Sequence, residues 1–368
     1  MSGVPAPSYS RPMSNLETRP RERTCTAGDR PAGVELLTAR DVPLGGPRAM
    51  TVRRTLPQRQ RSLVGAWCFC DHYGPDDVSA SAGMQVPPHP HIGLQTVSWL
   101  FAGEILHRDS VGSLQAVRPG ELNLMTAGVG ISHSEESPAQ GRPPTLHGVQ
   151  LWTVLPEADR TCEPHFEHHG VLPVATPGGS RVQVFLGELG IAGERLVSPA
   201  RTYTPIVGAQ LDLPAGGTVT LETDPSFEHA LLVDAGDATL EDEVVPPAQL
   251  GYVAPGRDRL VVTAGASPVR AVLLGGEPFT EDVVMWWNFV GRTHDDVARA
   301  RADWMAQVAD APASTREGVG EGAGEGTPTR YADGASARRF GQVHGYAGGP
   351  LRAPRLPDVR LRPRTRPA

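Results

Sequence analysis

The sequence predicts an all-β protein with a C-terminal helix, in which two tandem β-barrels follow one another along the chain. Three observations lead to this prediction. Short apolar or alternating runs, separated by turns rich in Gly and Pro, recur through most of the chain, as in antiparallel sheets. The 368 residues include 42 Gly and 36 Pro, which suits a chain with many turns. The rhythm of strands and turns starts again near residue 181, and one segment of helical spacing follows it.

Composition narrows the classes of function. The net charge of −7 argues against general nucleic-acid binding, and the Lys+Arg count of 34 consists entirely of arginine. Four cysteines in a chain of this length do not form a disulfide framework, and the Cys68-x-Cys70 pair is interpreted as two residues on one face of a strand. The N-terminus has no apolar signal region, and no run is long enough to cross a bilayer. We therefore expect a soluble, cytoplasmic protein without membrane or direct nucleic-acid partners.

The first barrel is predicted within residues 31–160, after an arm. Residues 1–30 are polar and lack periodicity, which predicts a disordered arm. Residues 64–75 are typical of a buried strand that runs into a turn. His72, at the end of that strand, is interpreted as a hydrogen-bonded structural residue rather than a site residue.

Two pairs of potential metal ligands frame the stretch from Pro87 to Glu135. His89 and His91 stand two residues apart at one end, and His133 and Glu135 stand two residues apart at the other. Residues two apart on a strand point to the same face, so each pair could direct both side chains into one cavity. A small closed barrel can bring its first and last strands side by side. The sequence therefore predicts a site of three imidazoles and one carboxylate, which suits iron, copper, nickel, manganese or zinc.

Other histidines in the sequence are alternative candidates for metal ligands. His107 precedes a carboxylate by two residues and could form a third ligand pair, although a role behind the ligands is favoured. His147 precedes a regular strand and is interpreted as packing. A rival cluster consists of His165, His168 and His169. It lacks a partner cluster at barrel distance, so a loop linking the domains is the favoured interpretation.

The second barrel is predicted within residues 161–292. The turn at 214–217 echoes the Pro-Gly turn at 118–120, but no His-x-His pair recurs. This asymmetry predicts one barrel with a metal site and one with a structural or interaction role. The aromatic run at 283–290 is interpreted as core or interface packing rather than as a cofactor site.

Residues 293–310 are predicted to form the helix. Thr293 and Asp296 have the spacing of a capping box, with Asp in place of Glu. Four apolar side chains share one face at helical spacing: Val297, Ala300, Trp304 and Val308. Residues 311–337 are rich in Gly and Glu and predict a flexible linker, and residues 338–368 predict an extended tail that is partly docked.

The same motifs resemble those of a known family. PHPHIGLQTVSWLFAGE, PGELNLMTAGVGISHSE and LHGVQLWTVLP are similar to the pirin family of the cupin superfamily, and GGEPFTEDVVMWWNFVGRTHDDVARARADW resembles the end of the pirin C-terminal domain. The resemblance runs from about Val34 to Trp304 and implies two tandem cupin-type (jelly-roll) barrels. The chain departs at Gln95, where the cupin pattern has Glu. In pirins the carboxylate ligand is the residue two after the last His, which is Glu135 here.

The resemblance also implies a function. It implies Fe(2+), or another divalent transition metal, held by His89, His91, His133 and Glu135. It further implies a quercetin 2,3-dioxygenase-like activity on a flavonol or related enolic small molecule, with Glu135 also taking the hydroxyl proton. Such a ligand set leaves open positions for substrate and dioxygen. The alternative is a non-catalytic, metal- and redox-dependent regulator that binds a transcription factor or a metabolic enzyme. A deep, reachable cavity would favour the enzyme, and a sealed one the regulator.

Overall fold

A computed structural model of the chain describes residues 33–44, 50–310 and 329–363. The predictions for residues 1–30 and for most of 311–337 therefore lie outside the described residues. The described part is mainly antiparallel β-structure with one α-helix, arranged as two cupin-type barrels in tandem. The predicted fold class is confirmed.

The first barrel has two sheets. The strands of the N-terminal half are β1 Glu35–Thr38, β2 Arg40–Leu44, β3 Met50–Leu56, β4 Trp67–Asp77, β5 Gln85–His91, β6 Leu94–Ala102, β7 Ile105–Asp109, β8 Leu114–Val117, β9 Leu122–Thr126, β10 Ile131–Glu136, β11 Thr145–Val154 and β12 His165–His169. One sheet has the order β12-β9-β6-β11-β4-β3-β2, and the other has the order β5-β10-β7-β8. The two ligand-bearing strands, β5 and β10, are therefore neighbours.

The second barrel and the elements after it complete the described chain. They are β13 Val174–Ala175, β14 Arg181–Ile191, β15 Glu194–Val197, β16 Ile206–Leu213, β17 Thr218–Glu222, β18 Glu228–Ala235, β19 Ala238–Leu240, β20 Glu243–Val245, β21 Gln249–Val253, β22 Arg259–Ala264, β23 Val269–Gly276, β24 Val284–Trp286, β25 Phe289–Gly291, α1 His294–Gln307, β26 Val308–Asp310 and β27 Thr329–Tyr331. The main sheet of this barrel has the order β1-β21-β18-β23-β16-β14-β17-β22-β19-β20.

Two strands pair across the boundary expected at residue 160. β1 pairs with β21 and extends the sheet of the second barrel, whereas β12 pairs with β9 in the first. Each covers a sheet edge that would otherwise leave backbone groups unpaired. The segment from His165 to His169, predicted as a loop, is therefore a strand. It is held there in part by Phe166, whose ring stacks on His107 at 4.5 Å between centroids.

A continuous apolar core joins the barrels. Trp99 of the first barrel stacks on Phe185 of the second, with ring centroids 4.7 Å apart. The indole nitrogen of Trp67 lies 3.1 Å from the carbonyl oxygen of Val207, to which it donates. A separate apolar cluster fills the second barrel.

The helix begins as the sequence predicts. Thr293 is the N-cap, and its backbone N–H and side-chain oxygen both exchange hydrogen bonds with Asp296. Three of the predicted face residues are fully buried: Val297, Ala300 and Trp304. The helix ends at Gln307, so Val308 is buried as the first residue of β26 instead. The aromatic run before the helix is also core, because Trp286 and Trp287 are buried.

The tail that follows β27 lies against the first barrel and the helix. The Phe340 ring is fully buried, and the backbone carbonyl oxygen of this residue accepts a hydrogen bond from Ser132 Oγ at 2.9 Å. The backbone N–H of Leu351 donates to the carbonyl oxygen of Pro88 at 2.8 Å. Both contacts reach the strands that carry the predicted ligands. Among the described residues, none of the helices has the length and apolar character needed to span a bilayer.

Candidate metal centre

The pairing of β5 with β10 brings the three predicted histidine ligands together. The two strands are antiparallel, and His133 lies directly opposite His89. Because side chains two apart share a face, His91 joins the same cluster. The ligand nitrogens of these three residues all lie within 4.8 Å of one another, and all three side chains are buried.

A bulge in β5 shapes this site. The register passes from His133 opposite His89 to Glu135 opposite Val86, so Pro87 and Pro88 together oppose a single residue of β10. Proline has no N–H to give to a ladder and is tolerated at such bulges. The bulge also frees the Pro87 carbonyl, which lies 2.9 Å from His89 Nδ1.

Hydrogen bonds assign the protons of His89 and His91. His89 Nδ1 faces the Pro87 carbonyl, and His91 Nδ1 lies 3.1 Å from the carbonyl oxygen of Asn288. A carbonyl oxygen only accepts, so both Nδ1 atoms carry the proton. The Nε2 atom of each ring therefore has a free lone pair. This is the tautomer in which a histidine can bind a metal through Nε2.

A chain of hydrogen bonds assigns the proton of His133. His107 Nε2 lies 3.1 Å from Asp109 Oδ2 and donates to it, so His107 Nδ1 is an acceptor. That atom lies 3.4 Å from His133 Nδ1, which donates to it. His133 Nε2 then also has a lone pair, only 3.1 Å from His91 Nε2. Two lone pairs this close repel one another unless a cation lies between them, so the donor set fits a metal ion.

Burial keeps these imidazoles neutral. It lowers the pKa of His89 to about 4, with a smaller lowering from His107 against the bond to Pro87, which raises it. Burial, followed by the neighbouring histidines, lowers the pKa of His133 well below its ordinary value. Burial likewise lowers the pKa of His91. Neutral imidazole is the form that binds a metal, so the residues are ready as ligands at neutral pH.

Glu135 lies in the same cavity beside the histidines. Its carboxylate accepts a hydrogen bond from Ser98 Oγ at 2.9 Å, and with His107 and His133 it forms a second group of close ligand atoms. Burial raises the pKa of Glu135, and this outweighs the opposite effects of His107 and Ser98. Gln95, where the cupin pattern has Glu, is instead engaged with Thr126 at 3.0 Å.

The cluster lines a cavity in the first barrel. The opposite wall comes from alternate residues of β4 and β11. Its members and the other lining residues are Phe69, Asp71, Tyr73, Met84, Val86, Gln150 and Trp152. The resemblance to pirins implied that the strands at residues 64–75 and 148–152 lie at the metal site, but the sequence interpretation did not name these lining residues individually. Their signal was the alternation within β4, where every second residue from Phe69 faces the cavity.

A second histidine cluster lies between the barrels. His72 Nε2 and His147 Nε2 each lie 2.6 Å from Asp234 Oδ1. The Nδ1 atoms face guanidinium groups, at 3.4 Å from Arg53 Nε and 3.3 Å from an Arg270 nitrogen. Because a carboxylate only accepts, the short contacts to Asp234 mean that each Nε2 carries the proton and each Nδ1 is an acceptor. No lone pair then faces a metal, and the cluster is a hydrogen-bonded junction between the barrels.

The histidines of β12 do not form a metal site in the described chain. His168 Nδ1 lies 2.6 Å from Asn123 Oδ1, and His169 Nε2 lies 3.1 Å from Glu167 Oε2. The compact groups of potential ligands found among the described residues do not include them.

The fold and this cluster define the class of protein. It is a two-barrel cupin whose first barrel carries a buried histidine–carboxylate cluster and whose second barrel is apolar inside.

Comparisons with known proteins give the family. The Pirin model matches residues 49–153, and the model of the Pirin C-terminal cupin domain matches residues 208–309, so the chain belongs to the pirin family. It is 44% identical over 273 residues to a Pseudomonas aeruginosa protein named "Putative quercetin 2,3-dioxygenase", covering 74% of this chain and 83% of that protein. It is 37% identical to a pirin-like protein of Caulobacter vibrioides, covering 69% and 88%. A crystal structure of quercetin 2,3-dioxygenase from Acinetobacter baumannii superposes with a TM-score of 0.76 at 33% identity, covering 90% of this chain and 98% of that one.

Proposed function

We propose that this protein is a metal-dependent, quercetin 2,3-dioxygenase-like enzyme that acts on a flavonol or a related enolic compound. His89, His91, His133 and Glu135 would hold the metal, with Fe(2+) as the first candidate. The observation that carries the proposal is the convergence of the three Nε2 lone pairs beside a buried carboxylate in one cavity. The names of the relatives, where they describe an activity, support the same reaction class.

The cavity wall suits a flat aromatic substrate. Phe69 and Trp152 stack with ring centroids 4.0 Å apart and planes at 11°. The Trp152 ring lies nearly perpendicular to the ring of His91, with centroids 5.1 Å apart. Aromatic side chains in a cavity wall favour ring systems by burial of apolar area. A flavonol has this shape.

Glu135 is suited to accept the substrate's hydroxyl proton. When bound, the metal would supply the redox chemistry by which dioxygen reacts with an enolic substrate. The residues of the chain orient that substrate, exclude water and remove its proton. A carboxylate beside the bound substrate can accept the proton of its hydroxyl group. Ser98, which donates to it at 2.9 Å, holds the carboxylate in place.

The cavity favours the enzyme over the regulator. A regulator that senses only the metal needs no space for a small molecule beside the ion. Here the cluster lines a cavity whose wall also carries the aromatic side chains of Phe69 and Trp152, a lining that suits an organic ring system and that a bound ion alone does not need.

Oxygen uptake by metal-loaded protein tests the proposal. The protein is stripped with a chelator and reloaded without oxygen with Fe(2+), Ni(2+), Cu(2+) or Mn(2+). Uptake is then followed with quercetin and other flavonols. We expect uptake only from loaded protein. His133→Gln should lose both metal and uptake, because it removes a lone pair. Glu135→Gln should lose more uptake than metal, by about 10²-fold or more if the carboxylate is the base.

A matched variant guards against non-specific effects. His344 is exposed and lies outside the cluster, so His344→Gln removes one imidazole and should change neither metal content nor uptake. Iron-loaded protein that takes up no oxygen with any flavonol would contradict the proposed activity. Equal metal content in the His133→Gln variant and the parent protein would contradict the ligand set.

A further inference from the structure

We infer that the hydroxyl of Tyr73 is a substrate-positioning donor, which hydrogen-bonds an acceptor oxygen of the aromatic compound held in the cavity. The inference rests on the proposed function, because it assumes that a small molecule occupies this cavity. It adds a requirement to the substrate class: a carbonyl or enolate oxygen must face the wall formed by β4 and β11.

The Tyr73 hydroxyl is buried without a protein partner. The side chain is 0% exposed, and its oxygen has no hydrogen-bond partner among the residues that the structure describes. An unsatisfied buried hydroxyl is unfavourable, which is why most such groups are paired. Its neighbour on the same strand face is satisfied, because both oxygens of Asp71 accept from Arg54 at 2.6 Å. The Tyr73 hydroxyl is therefore an unpaired donor on a wall where the carboxylate of Asp71 is already paired.

The backbone around Tyr73 is shaped to admit the phenol. Gly148 of β11 lies opposite Tyr73 in the ladder. A Cβ atom at position 148 would lie 3.0 Å from the Tyr73 oxygen and 2.6 Å from the carbonyl oxygen of Trp99. Only glycine gives the hydroxyl this room, so the position of the phenol is fixed by the strands around it. A fixed donor needs little reorganisation when a ligand arrives.

The chemistry of the phenol specifies the kind of atom it contacts. Burial, and then the nearby Glu135, raises the pKa of Tyr73 well above its ordinary value, so the group stays a neutral donor. The same cavity is lined by Glu135 and the metal-binding histidines. A compound that reaches the cluster with one oxygen can thus meet Tyr73 with another. A flavonol, which carries a ring carbonyl beside its enolic hydroxyl, has oxygens of the required type.

The test compares Tyr73→Phe with Tyr252→Phe by binding and by thermal unfolding. Binding of quercetin to the metal-loaded protein is measured without oxygen, so that turnover plays no part. Tyr73→Phe should raise the Kd about tenfold or more, leave the metal content unchanged, and leave the Tm equal or higher. Tyr252 is the matched control, because its buried hydroxyl donates to Glu228 at 2.8 Å. Tyr252→Phe should lower the Tm and leave the Kd unchanged.

The outcomes separate this inference from the proposed function. If Tyr73→Phe leaves the Kd unchanged, the inference is overturned, and a Tm lowered as in Tyr252→Phe would then show that the hydroxyl serves the fold. If the parent protein does not bind quercetin, the proposed function fails on its own account, and the Tm then decides for Tyr73. An unchanged or raised Tm supports a hydroxyl without a partner in the fold, and a lowered Tm overturns the inference.

Discussion

Asp109→Asn should weaken metal binding although Asp109 is not a proposed ligand. The backbone N–H groups of Val111 and Ser113 donate to Asp109 Oδ1, at 3.1 and 2.9 Å. These two donors would hold the amide oxygen of an asparagine in the same place, and the NH₂ group would face His107 Nε2. Two donors cannot face each other, so His107 would move its proton to Nδ1.

That proton would then face the proton on His133 Nδ1, at a distance of 3.4 Å between the nitrogens. His133 would relieve the conflict by placing its proton on Nε2, which removes the lone pair from the metal site. Replacing such an outer partner typically lowers metal affinity 10- to 100-fold. We therefore expect Asp109→Asn to weaken the free energy of metal binding by about 1.4–2.8 kcal/mol.

Competition with a chromophoric chelator would measure this affinity. Asp358→Asn is the control, because that carboxylate is exposed and forms its ion pair with Arg355, away from the cluster. Thermal unfolding of the metal-free variants would check that both fold. Equal metal affinity for Asp109→Asn and the parent protein, with both folded, would refute the proton assignment of His107 and His133.

Two further predictions concern stability. The metal-free protein should lose stability as the pH falls from about 6.5 towards 4, because burial lowers the pKa of His89 to about 4 and the unfolded chain therefore takes up this proton first. Protonation of this residue should lower the free energy of unfolding by about 2 kcal/mol between pH 7 and pH 5. Urea unfolding at the two pH values should show a correspondingly smaller loss of unfolding free energy in the His89→Gln variant. Equal losses in the variant and the parent protein would contradict the lowered pKa. Phe340→Ala should lower the unfolding free energy by about 3–5 kcal/mol, because the ring is fully buried against Phe289, at 6.0 Å between centroids. Urea unfolding would measure this, with Val359→Ala as an exposed control in the same tail, and a loss no greater than that of the control would mean that the docked tail adds no stability.

The placement of the histidine cluster could be predicted because strand periodicity is a local property. His89 and His91 share a face of any regular strand, and so do His133 and Glu135. The helix start at Thr293 was equally local, because a capping box involves residues three apart. What the sequence did not reveal was the bulge at Pro87 and Pro88, which depends on how β5 meets β10.

The opposite wall of the cavity could not be predicted from the same rule. Phe69, Asp71 and Tyr73 alternate regularly in β4, but alternation gives two faces and does not say which one meets the metal site. The pairing of β12 with β9 could not be predicted from local periodicity either. An isolated run of histidines carries no apolar alternation, and its strand conformation comes from the edge it covers.

The docked C-terminal tail has a consequence for how the protein is handled. The second of the two family-matched regions ends at residue 309, whereas the donor to Pro88 and the acceptor for Ser132 come from Leu351 and Phe340. A shortened protein, trimmed to the matched regions, would keep every proposed ligand yet lose the outer support of both strands that carry them. Weak metal uptake by such a truncation would therefore report on missing scaffolding rather than on the choice of ligands, so assays belong on the full chain.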